Sequence, residues 1–481
     1  MAVQASCPNC GASIEFTLGS SLARVCDYCR HTVVRTDRGL QAAGKAADLA
    51  HTPSLIAVGD EGTLAGRPFR VFGRVQLDHG AGPWDEYYLG LDYGQSWGWL
   101  AYAQGEWYAT VLAPPVPAPS HVELSPEQDV VLGPAGSFRV GEVKQARVVA
   151  TEGEVPGGIR EGMTRLYADL WGQGRAFATL DYGESGAQPA LFLGYVLSEP
   201  ELVVTQAGQR TLHKVKAATL ECPNCGGDVP KLSGERAERL GCPYCGAVSD
   251  IALRTVVAQQ EKTLRATDIP IGTQGTFQGS SFICIAYVRR GTSFEGEAYE
   301  WEEYLLFNQQ VGFRWLIKDP ETGWSWVSPV NLAEIDVRGG ATHVTHQHRV
   351  FRVRNRNQAR VLYVLGEVYW KCMVGETTSV ADYVSGRDVL SREGDLAEVR
   401  WSLSAPMPWP VVARGFGLPV DGPGAPRPTR SGAGPNSPAT IVAIVAALIL
   451  LGCVVSYFDD GDGSSSSGGV IIGGGVFSGG K

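Results

Sequence analysis

One cysteine pattern is used twice in this chain of 481 residues. Each occurrence consists of two Cys-x-x-Cys pairs, separated by 15 residues in the first case and by 16 in the second. Zn²⁺ prefers four soft ligands in a tetrahedral arrangement, and two such pairs joined by a hairpin supply four thiolates. We therefore predict two structural zinc ions, each held in a small ribbon. The predicted ligands are Cys7, Cys10, Cys26 and Cys29 for the first ion, and Cys222, Cys225, Cys242 and Cys245 for the second.

A pair of disulfides or a redox-active Cys-x-x-Cys motif is the alternative interpretation of these cysteines. The doubled spacing favours zinc, which requires reduced thiols and hence the cytoplasm. Four protein ligands leave no open coordination position, so both ions are expected to be structural. Gly11, Gly226 and Gly246 each follow the second Cys of a pair, where a positive φ directs backbone N–H groups toward sulfur. Arg30 takes that place after Cys29.

The duplication continues well beyond the cysteines. The segment Trp84-Asp85-Glu86-Tyr87 recurs as Trp301-Glu302-Glu303-Tyr304, and Gly153-Glu154-Val155 recurs as Gly366-Glu367-Val368, at offsets of 217 and 213 residues. Such a long period indicates two tandem modules, each composed of a ribbon and a larger body.

Alternating apolar and polar residues over short runs, with 61 Gly and 28 Pro in the chain, indicate many strands and turns. We predict a mainly β protein in which each zinc ribbon precedes a small antiparallel β barrel or sandwich. The predicted segments are 3–36 for the first ribbon, 53–205 for the first body, 218–252 for the second ribbon and 268–410 for the second body. Between ribbon and body, residues 41–50 and 255–266 are predicted to be short helices.

The second body carries Trp301-Glu302-Glu303-Tyr304, then Trp315-Leu316, Gly366-Glu367-Val368-Tyr369-Trp370, Asp382-Tyr383, Leu390-Ser391-Arg392-Glu393 and Trp401-Ser402. With these motifs it resembles the bacterial domain of unknown function 4178. The first copy departs from the pattern, since Gly157 aligns with Trp370 and Phe192-Leu193-Gly194-Tyr195 lacks the closing Trp-Ser, so we predict that it is degenerate. The resemblance implies a bacterial protein with a mostly β body and a link to envelope stress. It implies no established activity and no catalytic residue.

The last part of the chain has the composition of a membrane anchor. Residues 413–438 contain six Pro and six Gly and are predicted to be an extended linker. Residues 439–458 carry no charge and, as a helix, would span about 30 Å, the thickness of a bilayer's hydrocarbon core. A buried core helix is the alternative. Arg427 and Arg430 precede this segment, which predicts a single-pass, tail-anchored protein of the inner membrane with its bulk in the cytoplasm and a Gly/Ser-rich tail at 459–481.

The charge balance bears on the class of partner. With 41 Lys and Arg against 50 Asp and Glu, the chain has a net charge of −9, which argues against nucleic-acid binding. We predict a non-enzymatic, membrane-anchored scaffold or sensor with a protein partner. The alternative is an enzyme or small-ligand-binding protein whose pocket lies in the second body. That pocket would be lined by Trp301, Glu303, Glu367 and Trp370.

Three weaker signals remain. Glu86 and its counterpart Glu303 would serve as acid and base if they converged with other groups in a pocket, but solvent-facing positions beside a core Trp are the favoured interpretation. His343, His346 and His348 are interpreted as a polar turn rather than a metal site. Two further cysteines in apolar runs, Cys284 and Cys372, are predicted to lie in the core.

Overall fold

The structure is a computed structural model, and its described residues form one compact unit that ends at Ala425. The described residues are 3–16, 21–26, 28–29, 31–36, 39–45, 56–79, 83–103, 106–156, 159–185, 188–207, 219–233, 237–251, 253–261, 267–294, 297–337, 342–370, 372–422 and 424–425. The predicted membrane segment at 439–458 and the tail at 459–481 lie outside them. Up to Ala425, none of the described helices has the length and apolar character needed to cross a bilayer.

Strands dominate both modules. The first ribbon contains β1 (Val3–Ser6), β2 (Ser13–Phe16), β3 (Ser21–Val25), β4 (His31–Thr36) and β5 (Gly39–Lys45). The first body contains β6 (Glu61–Leu64), β7 (Arg67–Asp78), β8 (Pro83–Leu91), β9 (Ser96–Ala103), β10 (Glu106–Leu112), β11 (Asp129–Val131), β12 (Ser137–Pro156), β13 (Thr164–Trp171), β14 (Ala176–Gly183), β15 (Ala190–Leu197) and β16 (Leu202–Gln206). The second ribbon contains β17 (Thr219–Glu221), β18 (Asp228–Pro230), β19 (Arg239–Gly241), β20 (Ala247–Asp250) and β21 (Thr255–Gln259). The second body contains β22 (Gln274–Phe277), β23 (Ser280–Phe294), β24 (Glu297–Asn308), β25 (Gly312–Asp319), β26 (Gly323–Val330), β27 (Ile335–Asp336), β28 (His343–His346), β29 (Arg349–Val368), β30 (Thr377–Ser385), β31 (Asp388–Gly394), β32 (Val399–Pro406) and helix α1 (Trp409–Phe416).

Each body closes its sheet into a ring. In the first body the order is β7, β8, β9, β10, β15, β14, β13 and β12, and β12 returns to pair with β7. In the second body β23, β24, β25, β26, β32, β31, β30 and β29 follow the same order, and β29 returns to β23. Within the described residues each body is thus an antiparallel, barrel-like ring of eight strands. The predicted mainly β modules are confirmed in this coarse form.

One long strand in each module joins body to ribbon. Strands β12 and β29 are each 20 residues long. Along its length, β12 pairs first with β13, then with β7 and finally with β3 of the first ribbon. In the same order, β29 pairs with β30, β23 and β19 of the second ribbon. Gly153 and Gly366 occupy equivalent places on these strands with φ of 69° and 82°. A Cβ at Gly366 would lie 2.2 Å from the carbonyl oxygen of Ile285, so only glycine fits where the sheets meet.

The two predicted interdomain helices are wrong where the structure describes them. Residues 41–45 belong to β5, which pairs with β4, and residues 255–259 form β21, which pairs with β20. Each of these strands therefore extends the sheet of its ribbon. Pairing with a neighbouring strand outweighs the intrinsic helix propensity of such short stretches, and in Thr255-Val256-Val257 the β-branched residues favour the strand.

The second body has a helix where the first has an edge strand. In the first body β16 pairs with β6, whereas α1 packs against β22, with Phe416 and Phe277 at a ring distance of 4.9 Å. Pro408 precedes α1, and Gly417, with φ of 66°, ends it. Ala413 is fully buried in this packing. The predicted start of the linker at residue 413 is therefore wrong, because the described fold continues to Ala425.

The two bodies contact each other through different surfaces. The amide group of Asn331 in the second body donates to the carbonyl oxygens of Gly172 and Gly174 in the first, at 2.9 and 2.6 Å. Glu127 in the first body accepts from Arg392 at 2.9 Å and from Trp401 at 3.1 Å in the second. The first body contributes the segment before β11, the start of β12 and the β13–β14 turn. The second contributes the segment after β26, strands β31 and β32 and the turn between them. The contact is therefore of the heterologous, head-to-tail kind.

Candidate metal centres and the buried carboxylate network

The eight predicted ligand cysteines lie in two tight clusters. Within each cluster all four Sγ atoms are within 4.8 Å of one another. The Sγ–Sγ distances are 3.7 Å for Cys7–Cys29, Cys10–Cys26 and Cys222–Cys245, and 3.8 Å for Cys225–Cys242. A tetrahedron with Zn–S bonds of about 2.3 Å has edges of ~3.8 Å. Both clusters therefore have the dimensions of a four-thiolate metal site, as the spacing predicted.

Backbone and side-chain N–H groups surround the sulfur atoms. Gly11, Gly226 and Gly246 have φ of 75°, 70° and 75°, as predicted. A hydrogen bond from the backbone N–H of His31 lowers the pKa of the Cys29 thiol to about 6, against the effect of burial. Burial also opposes ionisation of Cys245, but hydrogen bonds, first that from the Asn224 side chain, lower its pKa to about 6. These donors favour the thiolate form that binds metal.

A glutamate ties each ribbon to its body. Glu367, near the end of β29, accepts from the backbone N–H of Ser233 at 2.9 Å and also from the Ser233 hydroxyl and the Leu232 N–H of the second ribbon. The equivalent Glu154, near the end of β12, pairs instead with Arg24 of the first ribbon at 3.3 Å. Burial raises the pKa of Glu367 against these hydrogen bonds. The ribbons are thus linked to the bodies by side chains as well as by strand pairing.

Charged side chains meet inside the ring of the second body. The Nη1 atom of Arg290 on β23 lies 3.5 Å from Glu303 on β24 and 3.1 Å from Glu393 on β31. Because β29 and β30 separate β23 from β31, the Arg290–Glu393 contact crosses the ring. Glu303 is only 7% exposed, and burial raises its pKa although Arg290 opposes the shift. The favoured interpretation of Glu303 as solvent-facing is therefore wrong.

The first body has a related set of buried and half-buried acids. Asp169 on β13 accepts from the hydroxyl of Thr179 at 2.7 Å, and Glu142 on β12 accepts from the hydroxyl of Tyr167 at 2.6 Å. Burial, reinforced by the charge of Glu142, raises the pKa of Asp169 to about 8. Burial likewise raises the pKa of Glu86, which faces the Trp84 N–H at 3.4 Å. Asp169 is therefore expected to be protonated near neutral pH.

Asp169 on β13 has a counterpart in the second body that the sequence analysis did not predict. Asp382 on β30 accepts from the Ser391 hydroxyl at 2.6 Å, as Asp169 does from Thr179. Asp169 lies opposite Glu142 of β12, and Asp382 lies opposite Asn355, the equivalent residue of β29. The available signal was a single acid between apolar neighbours, Ala381-Asp382-Tyr383 and Ala168-Asp169-Leu170, at a shared offset.

A chain of ion pairs crosses the junction of the two bodies. Lys144 of the first body lies 3.3 Å from Glu142 and 2.5 Å from Glu398 of the second. Glu398 in turn accepts from Arg400 at 3.2 Å, and the guanidinium of Arg400 lies 5.4 Å from the centre of the Trp171 ring. Arg400 of the second body therefore contacts both Trp171 of the first body and the glutamate that binds Lys144.

The comparisons with known proteins match this bipartite architecture. The family model Domain of unknown function (DUF4178) matches residues 57–199 and again residues 270–408, together more than half of the chain. The protein belongs to the DUF4178 family. The first match includes the second half of the first body, so both DUF4178 copies are recognised over the full ring. No curated protein and no solved structure shows significant similarity to the chain.

The four residues predicted to line a pocket have separate roles in the second DUF4178 copy. Trp301 donates to Glu303 at 2.7 Å, so these two do lie together. The carboxylate of Glu367 is bound by the second ribbon, and Trp370 packs edge-on against Trp315 at a ring distance of 5.3 Å. The three histidines lie at β28 and the turn after it, where His346 is buried. Cys284 and Cys372 are both fully buried, which confirms their prediction as core residues.

A large cavity, lined mainly by the second DUF4178 copy and also by Glu127 of the first, was not predicted. It has a volume of about 1150 Å³ and lies beside the middle of β29. Arg356, Gln358 and Arg360 line one wall, Gly291 and Glu300 of the β23–β24 hairpin another, and the aromatic rings of Tyr383 and Trp401 are also in contact with it. None of the four residues predicted as a pocket belongs to this lining.

Proposed function

We propose that this protein is a membrane-anchored scaffold or sensor, without enzymatic activity, in a bacterial cytoplasm and with a connection to envelope stress. Metal-loaded ribbons hold its two DUF4178 copies in a form that binds a protein partner. The observation that carries this proposal is the strand shared by ribbon and body, on which Gly241 of the second ribbon pairs with Gly366. Loss of the metal would release the end of the same strand that closes the ring.

Zinc is the proposed metal for both sites. Four cysteine thiolates select zinc or iron, and a closed set of four ligands is typical of structural zinc. The buried cysteines of each cluster, such as Cys222 and Cys242, alternate with exposed ones, such as Cys225, so the ribbons cover the metal from one side. The metal then serves folding rather than catalysis.

The proposed anchor is the uncharged segment 439–458. Its sequence supports a single-pass helix with the modules in the cytoplasm, where the thiolates stay reduced. Deletion of residues 439–458 is expected to move the protein from the membrane pellet to the supernatant of lysed cells. Retention in the pellet after high-salt washing would contradict the anchor.

A second candidate function is binding or conversion of a small ligand inside a DUF4178 ring. The specific observation in its favour is the buried group of Arg290, Glu303 and Glu393, together with raised carboxyl pKa values in both rings. Perturbed carboxyl groups are enriched at functional sites, although buried ion pairs also produce them. Mass spectrometry of the native protein would detect a small molecule that copurifies in place of a protein partner.

The deciding experiment is copurification from the native host. The full chain, its Cys242→Ser variant and the matched control Cys284→Ser are isolated in mild detergent. Elemental analysis and protein mass spectrometry are then applied to each. We expect one stoichiometric partner to copurify with the full chain and with the control. In Cys242→Ser, we expect both the partner and one of the two zinc ions to be lost. A partner that remains in full amount after loss of that zinc would refute metal-dependent scaffolding.

A further inference from the structure

A gap along the long strand of the first body is filled by the second body. Strand β11 pairs with β12 up to Arg139, and β7 pairs with it from Arg147 onward. Between these points, the backbone N–H of Val143 donates to the carbonyl oxygen of Ala397 at 2.8 Å, and Glu142 forms an isolated antiparallel bridge with Glu398. The turn between β31 and β32 thus adds to the sheet of the first body as a short extra strand.

Among the residues that the structure describes, the same gap occurs in the second body. Strand β28 pairs with β29 up to Arg352, and β23 pairs with it from Arg360 onward, positions equivalent to Arg139 and Arg147. The cavity of about 1150 Å³ lies at this gap and is lined by residues 356–358 of β29. Arg356 stands where Val143 stands in the first body. The cavity is therefore the second copy of a site that is already occupied once within the chain.

The second gap is more basic than the first. Arg354 and Arg356 replace Gly141 and Val143, and both arginines are exposed. Arg354 pairs with Glu321 at 3.8 Å, whereas Arg356 and Arg360 line the cavity. Two carboxylates line the cavity, and both already have arginine partners. Glu127 pairs with Arg392 at 2.8 Å and Glu300 with Arg289 at 3.5 Å. The electrostatic potential of the cavity therefore favours an acidic occupant.

We propose that the gap beside β29 binds an acidic β-turn of a partner protein by β-augmentation. The turn lies along residues 355–358 as the β31–β32 turn lies along β12, and Arg356 and Arg360 bind its carboxylates. Backbone hydrogen bonds give such sites affinity, and flanking side chains give them specificity. This inference rests on the proposed scaffold function and names the chemistry of its partner.

A partner protein fits the gap better than a second copy of this chain. The β31–β32 turn carries Asp395 and Glu398 but is already used inside the chain. In the first copy the corresponding segment, 184–189, contains a single acid, Glu184, and ends in Pro189, which has no N–H to donate. The charge of the gap is thus not matched by the turn that another copy would offer.

The probe for this proposal is a backbone-cyclised hairpin containing residues 391–403 of the chain, because its turn is the one that fills the first gap. Fluorescently labelled hairpin is titrated into zinc-loaded full-length protein in detergent. We expect saturable binding that weakens at least tenfold in Arg356→Glu and stays within twofold in the matched control Arg352→Glu, which lies outside the cavity. A hairpin with Asp395→Asn and Glu398→Gln should also bind at least fivefold more weakly. Hydrogen exchange should slow at residues 355–358 when the hairpin binds.

The other outcomes would overturn either this proposal or the scaffold function on which it rests. Equal binding by the neutralised hairpin, or no effect of Arg356→Glu in a protein of unchanged thermal stability, would remove the acidic-turn assignment. Concentration-dependent dimers that disappear in Arg356→Glu would assign the gap to a second copy. If the hairpin fails to bind while a partner still copurifies in a zinc-dependent manner, only this inference falls. If the hairpin binds but no partner copurifies, the scaffold function falls.

Discussion

Lys144 of the first DUF4178 copy and Glu398 of the second form an ion pair of 2.5 Å at the junction of the two bodies. Glu142 lies on the other side of the same ammonium group, at 3.3 Å. These contacts raise the pKa of Lys144 in spite of its burial, so one cation holds two carboxylates from different copies together. The junction consequently depends on this charge.

Replacing Lys144 by Met is expected to lower the free energy of unfolding by about 3 kcal/mol at pH 8, since the buried Glu142 and the half-buried Glu398 then face each other without the ammonium group between them, and only Glu398 keeps a cation, Arg400, at 3.2 Å. Burial and the charge of Glu398 already raise the pKa of Glu142 in the folded protein, and loss of the ammonium group raises it further, so the loss of stability shrinks as the pH falls and the Glu142 carboxyl takes up a proton. Urea titrations at pH 5.5 and 8 measure the difference. An equal loss at both values would contradict the charge argument. Asn357→Met, at the equivalent position of the second copy, is the control.

The Asp169→Asn variant tests the buried acid of the first copy. Because the pKa of Asp169 is raised to about 8 in the folded protein, ionisation is unfavourable there, and stability is lost as the pH rises from about 4 to 8. The amide still accepts the hydroxyl proton of Thr179. The variant should therefore gain on the order of 2 kcal/mol at pH 8.5 and little at pH 4.5. Thermal denaturation of the variant and the parent protein across this pH range measures the difference. Asp228→Asn, at an exposed residue of the second ribbon, is the control. If Asp169 were ionised in the folded protein, the difference in stability between variant and parent would not change with pH.

The Gly366→Ala variant tests the join between ring and ribbon. Alanine there adds a left-handed backbone penalty of roughly 1–2 kcal/mol and a clash with the carbonyl oxygen of Ile285, which lies only 2.2 Å from the new Cβ. Gly279 also has a positive φ, of 81°, but an added Cβ meets nothing within 4 Å. Gly366→Ala should thus lower the unfolding midpoint clearly more than Gly279→Ala. Similar midpoints would mean that the strands adjust freely at the crossing.

Metal removal should affect the second ring through its ribbon. In Cys242→Ser, zinc per chain is expected to fall from two to one, and amide exchange should quicken at Gly366, Glu367 and Val368, which pair with β19. Inductively coupled plasma spectrometry and hydrogen-exchange mass spectrometry report these two quantities. Unchanged exchange in this segment, with one zinc missing, would show that ring and ribbon fold independently.

Sequence patterns predicted those features that depend on local spacing. The thiolate clusters follow from Cys-x-x-Cys pairs, and the mainly β modules follow from alternation and turns. The side-chain contacts inside the ring were harder to predict from the sequence. Arg290 and Glu393 are 103 residues apart and come into contact only when the sheet closes. Glu303 looked solvent-facing for the same reason, since alternation alone does not say which face of a closed sheet is inside. The cavity depends on where strand pairing stops along β29, which has no sequence signature.

The gap along β12 has a consequence for stoichiometry. In the part of the chain that the structure describes, each DUF4178 copy has one such gap, and the β31–β32 turn fills the one in the first copy. Two separate bodies would offer two equivalent sites for a β-turn, whereas the two bodies in one chain leave one site for a partner. The number of binding sites per chain is therefore one, although the chain has two DUF4178 copies. A larger assembly grows only when the incoming protein is itself multivalent.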